Sequence, residues 1–196
     1  MAFDTCAGKL EVICGPMFSG KSEELIRRLR RAKIAKQRVA VFKPALDNRY
    51  AAEQVVSHNG MALDAYATDI PEDIIKHVSN NAIDVVGIDE VQFFTTNIIS
   101  VICKLVDSGK RVIAGGLDLD FRGVPFGPIP TLLAVADSIT KLQSICTCCG
   151  KDAHFSQRLV NGKPAKFNDP IILVGAQEAY QARCRGCYSI DQAPQF

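Results

Sequence analysis

The sequence contains no apolar run near the roughly 20 residues needed to cross a bilayer, so no membrane-spanning helix and no membrane partner are expected. It has no excess of charge of one sign. Its 23 basic residues against 21 acidic ones leave a net charge of +2, and nothing in that balance points to a nucleic-acid partner. The opening stretch, MAFDTCAGKLEV, lacks the basic, apolar and small-residue order of a secretory signal, and a cytosolic protein is expected. There is no internal repeat and no low-complexity segment. The 3 histidines, His58, His77 and His154, lack ligand-type spacing to one another, so none is expected to bind metal.

What is present is the composition of an ordinary soluble globular protein, 47% hydrophobic and 22% charged over 196 residues. That length allows one full domain with a small appendage. Leu10 to Cys14 form an apolar run that stops at a glycine, and Ser22 to Lys36 follow with Leu25, Ile26, Leu29 and Ile34 at helical spacing. The outer face of that helix (Arg27, Arg28, Arg30, Arg31, Lys33, Lys36) reads first as solvated. Further strands are expected at Arg38 to Phe42, in GMALDAYA, at Asp84 to Glu90, in KRVIAGG and from Ser138 to Ile145. Helices are expected at Pro71 to Ser79, Thr96 to Ser108 and Thr131 to Ala136, with a shaped loop in DLDFRGVPFGPIP. Strands alternating with helices imply an α/β fold, a parallel sheet flanked by helices with ligands at the carboxyl ends of its strands. A domain boundary is expected near Leu142, giving a larger α/β domain over 1–142 and a smaller one over 143–196.

The segment CGPMFSGKS holds Gly15, Gly20, Lys21 and Ser22 at the offsets of a phosphate loop, between an expected strand and an expected helix. Gly15, Pro16, Met17, Phe18, Ser19 and Gly20 are expected to surround the phosphate position there, all but the proline offering a backbone N–H. Lys21 reaches the outer phosphates and the Ser22 hydroxyl reaches Mg²⁺. Its three bulky apolar residues, Pro16, Met17 and Phe18, have no obvious task in a phosphate cradle. Asp89 and Glu90 end an apolar strand on the same sheet edge, where one carboxylate can serve metal or phosphate and the other can take a proton. The plainer alternative is that they cap the following segment. Asp47 and Arg49 lie on that edge too, and read either as site residues or as a loop with a charge pair.

In a cytosolic chain 8 cysteines are not expected to form structural disulfides. Cys146 with Cys149 and Cys184 with Cys187 form two C-x-x-C pairs, the pattern of a structural zinc knuckle. A redox pair and simple core cysteines are the other readings. The pairs are farther apart than the usual 15 to 20 residues, so the segment between them is expected to be a loop with its own task, anchored by the metal. Cys148 reads as a bystander, and Cys6, Cys14 and Cys103 as small buried hydrophobes.

Taken in order, GPMFSGKS, KPALDNRY, GIDEVQFF, GGLDLDFRGVPFG and the paired C-x-x-C resemble the zinc-containing, cytosolic thymidine kinases, in the wording of bacterial members, over nearly the whole chain. The resemblance implies transfer of the γ-phosphate of ATP to the 5′-hydroxyl of thymidine or deoxyuridine. It implies Glu90 as general base, Lys21, Asp89 and Arg49 at the phosphates, and Ser22 and Asp47 at Mg²⁺. It further implies a thymidine pocket of Met17, Phe93, Leu117, Phe121, Ser156, Ile171, Leu173, Gly175 and Tyr180, a tetramer, and feedback inhibition by dTTP. The competing reading is a phosphate-loop ATPase whose basic ribbon (Lys151, Arg158, Lys163, Lys166, Arg183, Arg185) binds nucleic acid or a protein.

Overall fold

A computed structural model describes residues 8–45, 54–56, 62–171 and 178–191. The first part of the chain runs β1 (Lys9–Cys14), α1 (Lys21–Ile34), β2 (Val39–Lys43), β3 (Gln54–Val56), β4 (Ala62–Asp64), β5 (Tyr66–Ala67), α2 (Pro71–Asn80), β6 (Val85–Ile88), α3 (Asn97–Asp107), β7 (Arg111–Gly116), α4 (Ile129–Val135) and β8 (Ser138–Lys141). Six of these strands form one sheet in the order β5-β2-β6-β7-β1-β8, every pairing parallel. Because alternate residues of a strand face opposite ways, both faces must be apolar and both must be covered. Leu10, Val12, Phe42, Val86, Ile88 and Val112 meet α2, α3 and α4 on one face, and Ile13, Val41, Val85 and Ile113 meet Leu25, Ile26 and Leu29 of α1 on the other.

The rest of the chain folds around its cysteines. β9 (Ser144–Ile145) pairs with β10 (Asp152–Ala153), while β11 (Phe155–Val160) lies between β12 (Lys163–Pro164) and β13 (Glu178–Arg183). Among the described residues, no helix is long and apolar enough to cross a membrane.

Several local expectations change. The stretch from Ser138 to Ile145 is two strands in two sheets, parting at Leu142 and Gln143. GMALDAYA likewise divides between the β3–β4 hairpin and the edge strand β5. The last helix starts at Ile129, since Pro130 suits a first helical turn, where a missing N–H costs nothing. Arg28 does not belong to a solvated face. It donates to Glu11 and Glu24, each at 2.7 Å, and to Thr140 at 2.8 Å, tying α1 to the sheet.

Candidate active site

The phosphate loop leaves β1 at Cys14 and enters α1 at Lys21. Gly15 has φ 145°, and a Cβ there would stand 2.4 Å from the Leu142 carbonyl, so only glycine lets β8 run on beside the loop. Phe18 is held at φ 64°, which a bulky residue adopts only under constraint from its surroundings. The backbones of the three bulky residues make three different contacts. Pro16 is buried, and its carbonyl accepts from Lys21 Nζ at 2.7 Å. The half-buried Met17 donates its N–H to Ser156 Oγ at 2.9 Å, and Phe18 accepts through its carbonyl from Ser144 Oγ at 3.1 Å. Phe18 is 46% exposed, so it is not the core-packing residue its chemistry suggests.

At the end of β6 the strand stops at Ile88, one residue short of the two carboxylates. Asp89 is buried; its Oδ2 accepts from Ser22 Oγ at 3.0 Å and its Oδ1 from the Glu90 N–H at 3.0 Å. Burial, reinforced by the charge of Glu90, raises its carboxyl to about 7, against the pull of Ser22, the Glu90 N–H and Lys21. Glu90 turns into left-handed backbone at φ 50° and precedes the short 3₁₀ turn Val91–Phe93 without a side-chain capping bond to it. Burial lowers the Lys21 ammonium, while Glu90, Asp89 and Asp118 act to keep it charged. The loop, its lysine and both carboxylates thus meet at one sheet edge, at the strand ends where α/β folds bind ligands.

Gln92 was not singled out by the sequence, though it lies within GIDEVQFF. It is buried, donates its amide to Glu90 Oε2, and accepts at Oε1 from the Leu117 N–H at 3.0 Å. Phe93 packs edge-on against Phe126, ring centroids 5.4 Å apart. Phe121 is buried, its carbonyl accepting from Tyr188 Oη at 2.7 Å. Asp120 holds this turn rigid by accepting from the Arg122 N–H at 2.8 Å, the Val124 N–H at 3.1 Å and the Arg122 guanidinium. Ser156 is buried on β11 against the phosphate loop, and Tyr180 stands opposite Arg158 in the β11–β13 register. Ile171 is 38% exposed. Asp47, Arg49, Leu173 and Gly175 lie outside the described residues.

The sulfurs of Cys146, Cys149, Cys184 and Cys187 all lie within 4.8 Å of one another. A tetrahedral Zn²⁺ with Zn–S near 2.3 Å sets its sulfurs about 3.8 Å apart, so the cluster fits a structural metal such as zinc. The thiols cannot all ionise alone. Backbone N–H groups, that of Cys184 foremost, hold Cys146 at about 6, whereas Cys187, sharing its proton first with Cys184, is pushed up to about 12. A divalent cation removes that conflict. Cys148 lies outside the four, and its sulfur accepts from the Arg183 guanidinium.

A parallel α/β body with a phosphate loop, joined to a four-cysteine metal ribbon, defines the class of protein. Residues 8–188 match the thymidine kinase family model, and the chain belongs to that family of nucleoside kinases.

Proposed function

We propose that the protein transfers the γ-phosphate of ATP to the 5′-hydroxyl of thymidine or deoxyuridine, yielding the monophosphate and ADP. The observation that carries this reading is the convergence of buried Lys21, in a loop framed by Gly15 and Gly20, with Asp89 and Glu90 at one sheet edge. Phosphoryl transfer needs in-line oxygens and neutralised charge more than covalent help. The N–H groups of the loop and the first turn of α1 hold the phosphates, and Lys21 offsets the charge developing on them. Glu90 is the base for the acceptor hydroxyl; Gln92 fixes one of its oxygens and so orients the other.

Bound Mg²⁺ would supply positive charge against that of the nucleotide phosphates. Ser22 would hold it, together with Asp47 and with Asp89 behind the Ser22 hydroxyl. Arg49 belongs near the transferring phosphate. Met17, Phe93, Leu117, Phe121, Ser156, Ile171, Leu173, Gly175 and Tyr180 enclose the nucleoside, keeping water from competing as acceptor. The same reading takes the cysteine-bound metal to be Zn²⁺, and the enzyme to be a cytosolic tetramer inhibited by dTTP in the acceptor site.

Glu90→Gln keeps a hydrogen-bonding side chain but removes the base. Turnover is expected to fall by about 10²- to 10⁴-fold with ATP affinity unchanged, measured by ADP release and nucleotide titration. Near-normal turnover would remove Glu90 from this role.

A further inference from the structure

The largest fully buried side chain among the described residues is a charged one, Arg158 on β11. Burying a guanidinium is costly unless its surroundings use it. Here Nη1 donates to the Pro170 carbonyl at 2.6 Å, and the guanidinium carbon stands 4.8 Å from the centroid of the Phe121 ring. A basic ribbon surface that binds nucleic acid therefore loses one of its expected members.

Three segments meet at this side chain: β11, the loop after β7 that carries Phe121, and the stretch after β12 that carries Pro170. Residues two apart on a strand share a face, so Arg158 stands on the side of β11 from which Ser156 meets the Met17 N–H of the phosphate loop. The other contacts of Phe121 are fixed independently of it. Tyr188 holds the carbonyl at 2.7 Å, and the Arg122 guanidinium lies 6.0 Å from the ring.

We propose that Arg158 is a positioning residue for the acceptor nucleoside: it holds the Phe121 ring and the Pro170 backbone as two walls of one pocket, and so sets nucleoside affinity without acting on ATP. This rests on the reading above that Phe121 encloses the nucleoside. A cation over an aromatic face fixes the ring's plane as well as its place. The bond to a carbonyl from a planar, forked donor fixes the second wall relative to the first.

The test is steady-state ADP formation, with thymidine and ATP varied separately, for the full chain and for Arg158→Met, Arg158→Lys, Phe121→Leu and the double variant Phe121→Leu with Arg158→Met. Arg158→Met is expected to raise the thymidine KM about 10-fold or more while kcat and the ATP KM stay within about 2-fold, the signature of lost uniform binding. Arg158→Lys keeps the cation and loses the fork, so its thymidine KM should rise a few-fold, between wild type and the methionine variant. In the Phe121→Leu background the Arg158→Met change should add little, because two residues acting through one contact are not additive. Thymidine and ATP constants that move together, or a thymidine KM that does not move, would overturn the proposal. If Arg158→Met does not fold, Arg158→Lys decides it, an unchanged thymidine KM being the contrary result. An unchanged thymidine KM in Phe121→Leu would sink the pocket reading itself. A raised KM there beside an unchanged one in Arg158→Met would sink the Arg158 proposal alone.

Discussion

Glu90 occupies left-handed backbone at φ 50°, a conformation that costs a non-glycine residue about 1–3 kcal/mol and is held here by its surroundings. Gln92 is the nearest of these restraints, and Gly116 makes room for it. A Cβ on Gly116 would stand 2.5 Å from Gln92 Oε1 and 3.0 Å from Ile129 Cδ1, too close for either to stay in place. Gly116→Ala is therefore expected to push the amide off Glu90 and the Leu117 N–H. Misplacing a catalytic group by about 1 Å costs up to about 10²-fold, so turnover should fall about 10- to 100-fold with ATP affinity retained. Unaltered turnover would show that Gln92 does not orient the base. The phosphate loop, the acidic pair and the cysteine pairs were legible in the sequence because each is a local pattern whose spacing is its mechanism. Gln92 and Arg158 were not, since nothing within a few residues of either marks a polar side chain for burial; Leu117, Phe121 and Pro170 reach them only in the folded chain. The Met17 to Ser156 bond is illegible for the same reason, its partners lying 139 residues apart.

Helix α1 presents the loop, and an ionic network fixes it to the sheet beneath. Glu11 on β1 is buried and accepts from Arg28 of α1 and Arg111 of β7, each at 2.7 Å. Burial alone would raise its carboxyl; the Arg111 and Arg28 guanidiniums more than offset this and hold it below the usual value. Glu24 is held at about 2, first by Arg27 and then by Arg28. Both carboxyls are held below the unfolded value near 4.5, so this stabilisation is complete above that pH and is lost as the pH falls through their lowered folded values, about 2 for Glu24. Glu11→Gln is expected to cost about 2 kcal/mol in urea unfolding at pH 7, less than a wholly buried pair, because the Arg111 side chain is 32% exposed. The gap to wild type should close as the pH falls below about 4.5. A gap that does not narrow at all as the pH falls would mean that the packing of Glu11, rather than its charge, is what matters. At this scale the main strands and helices were legible from apolar runs and helical spacing. The division of Ser138 to Ile145 was not, because SITKLQSI contains no glycine or proline to mark a break and only the competing sheets decide where it parts.

The α/β body that carries the phosphate-loop motif is joined to the four-cysteine ribbon through a few identifiable contacts, among them Ser156 to Met17 and Ser144 to Phe18. Structural zinc contributes folding free energy outright, so its removal should be felt across that junction. About one zinc per chain is expected on metal analysis. A chelator, or Cys184→Ser, should lower the unfolding temperature and abolish nucleoside-dependent turnover. A folded, fully active preparation without metal would contradict the structural role. The central claim is that the edge formed by the phosphate loop, Asp89 and Glu90 delivers phosphate to a nucleoside rather than to water or to a protein. Its most direct test is ADP formation from ATP by the wild-type protein, with and without each of a panel of deoxynucleosides. Turnover that appears with thymidine or deoxyuridine, stays near background without a nucleoside, and yields the 5′-monophosphate is the expected result; hydrolysis indifferent to every nucleoside would contradict it.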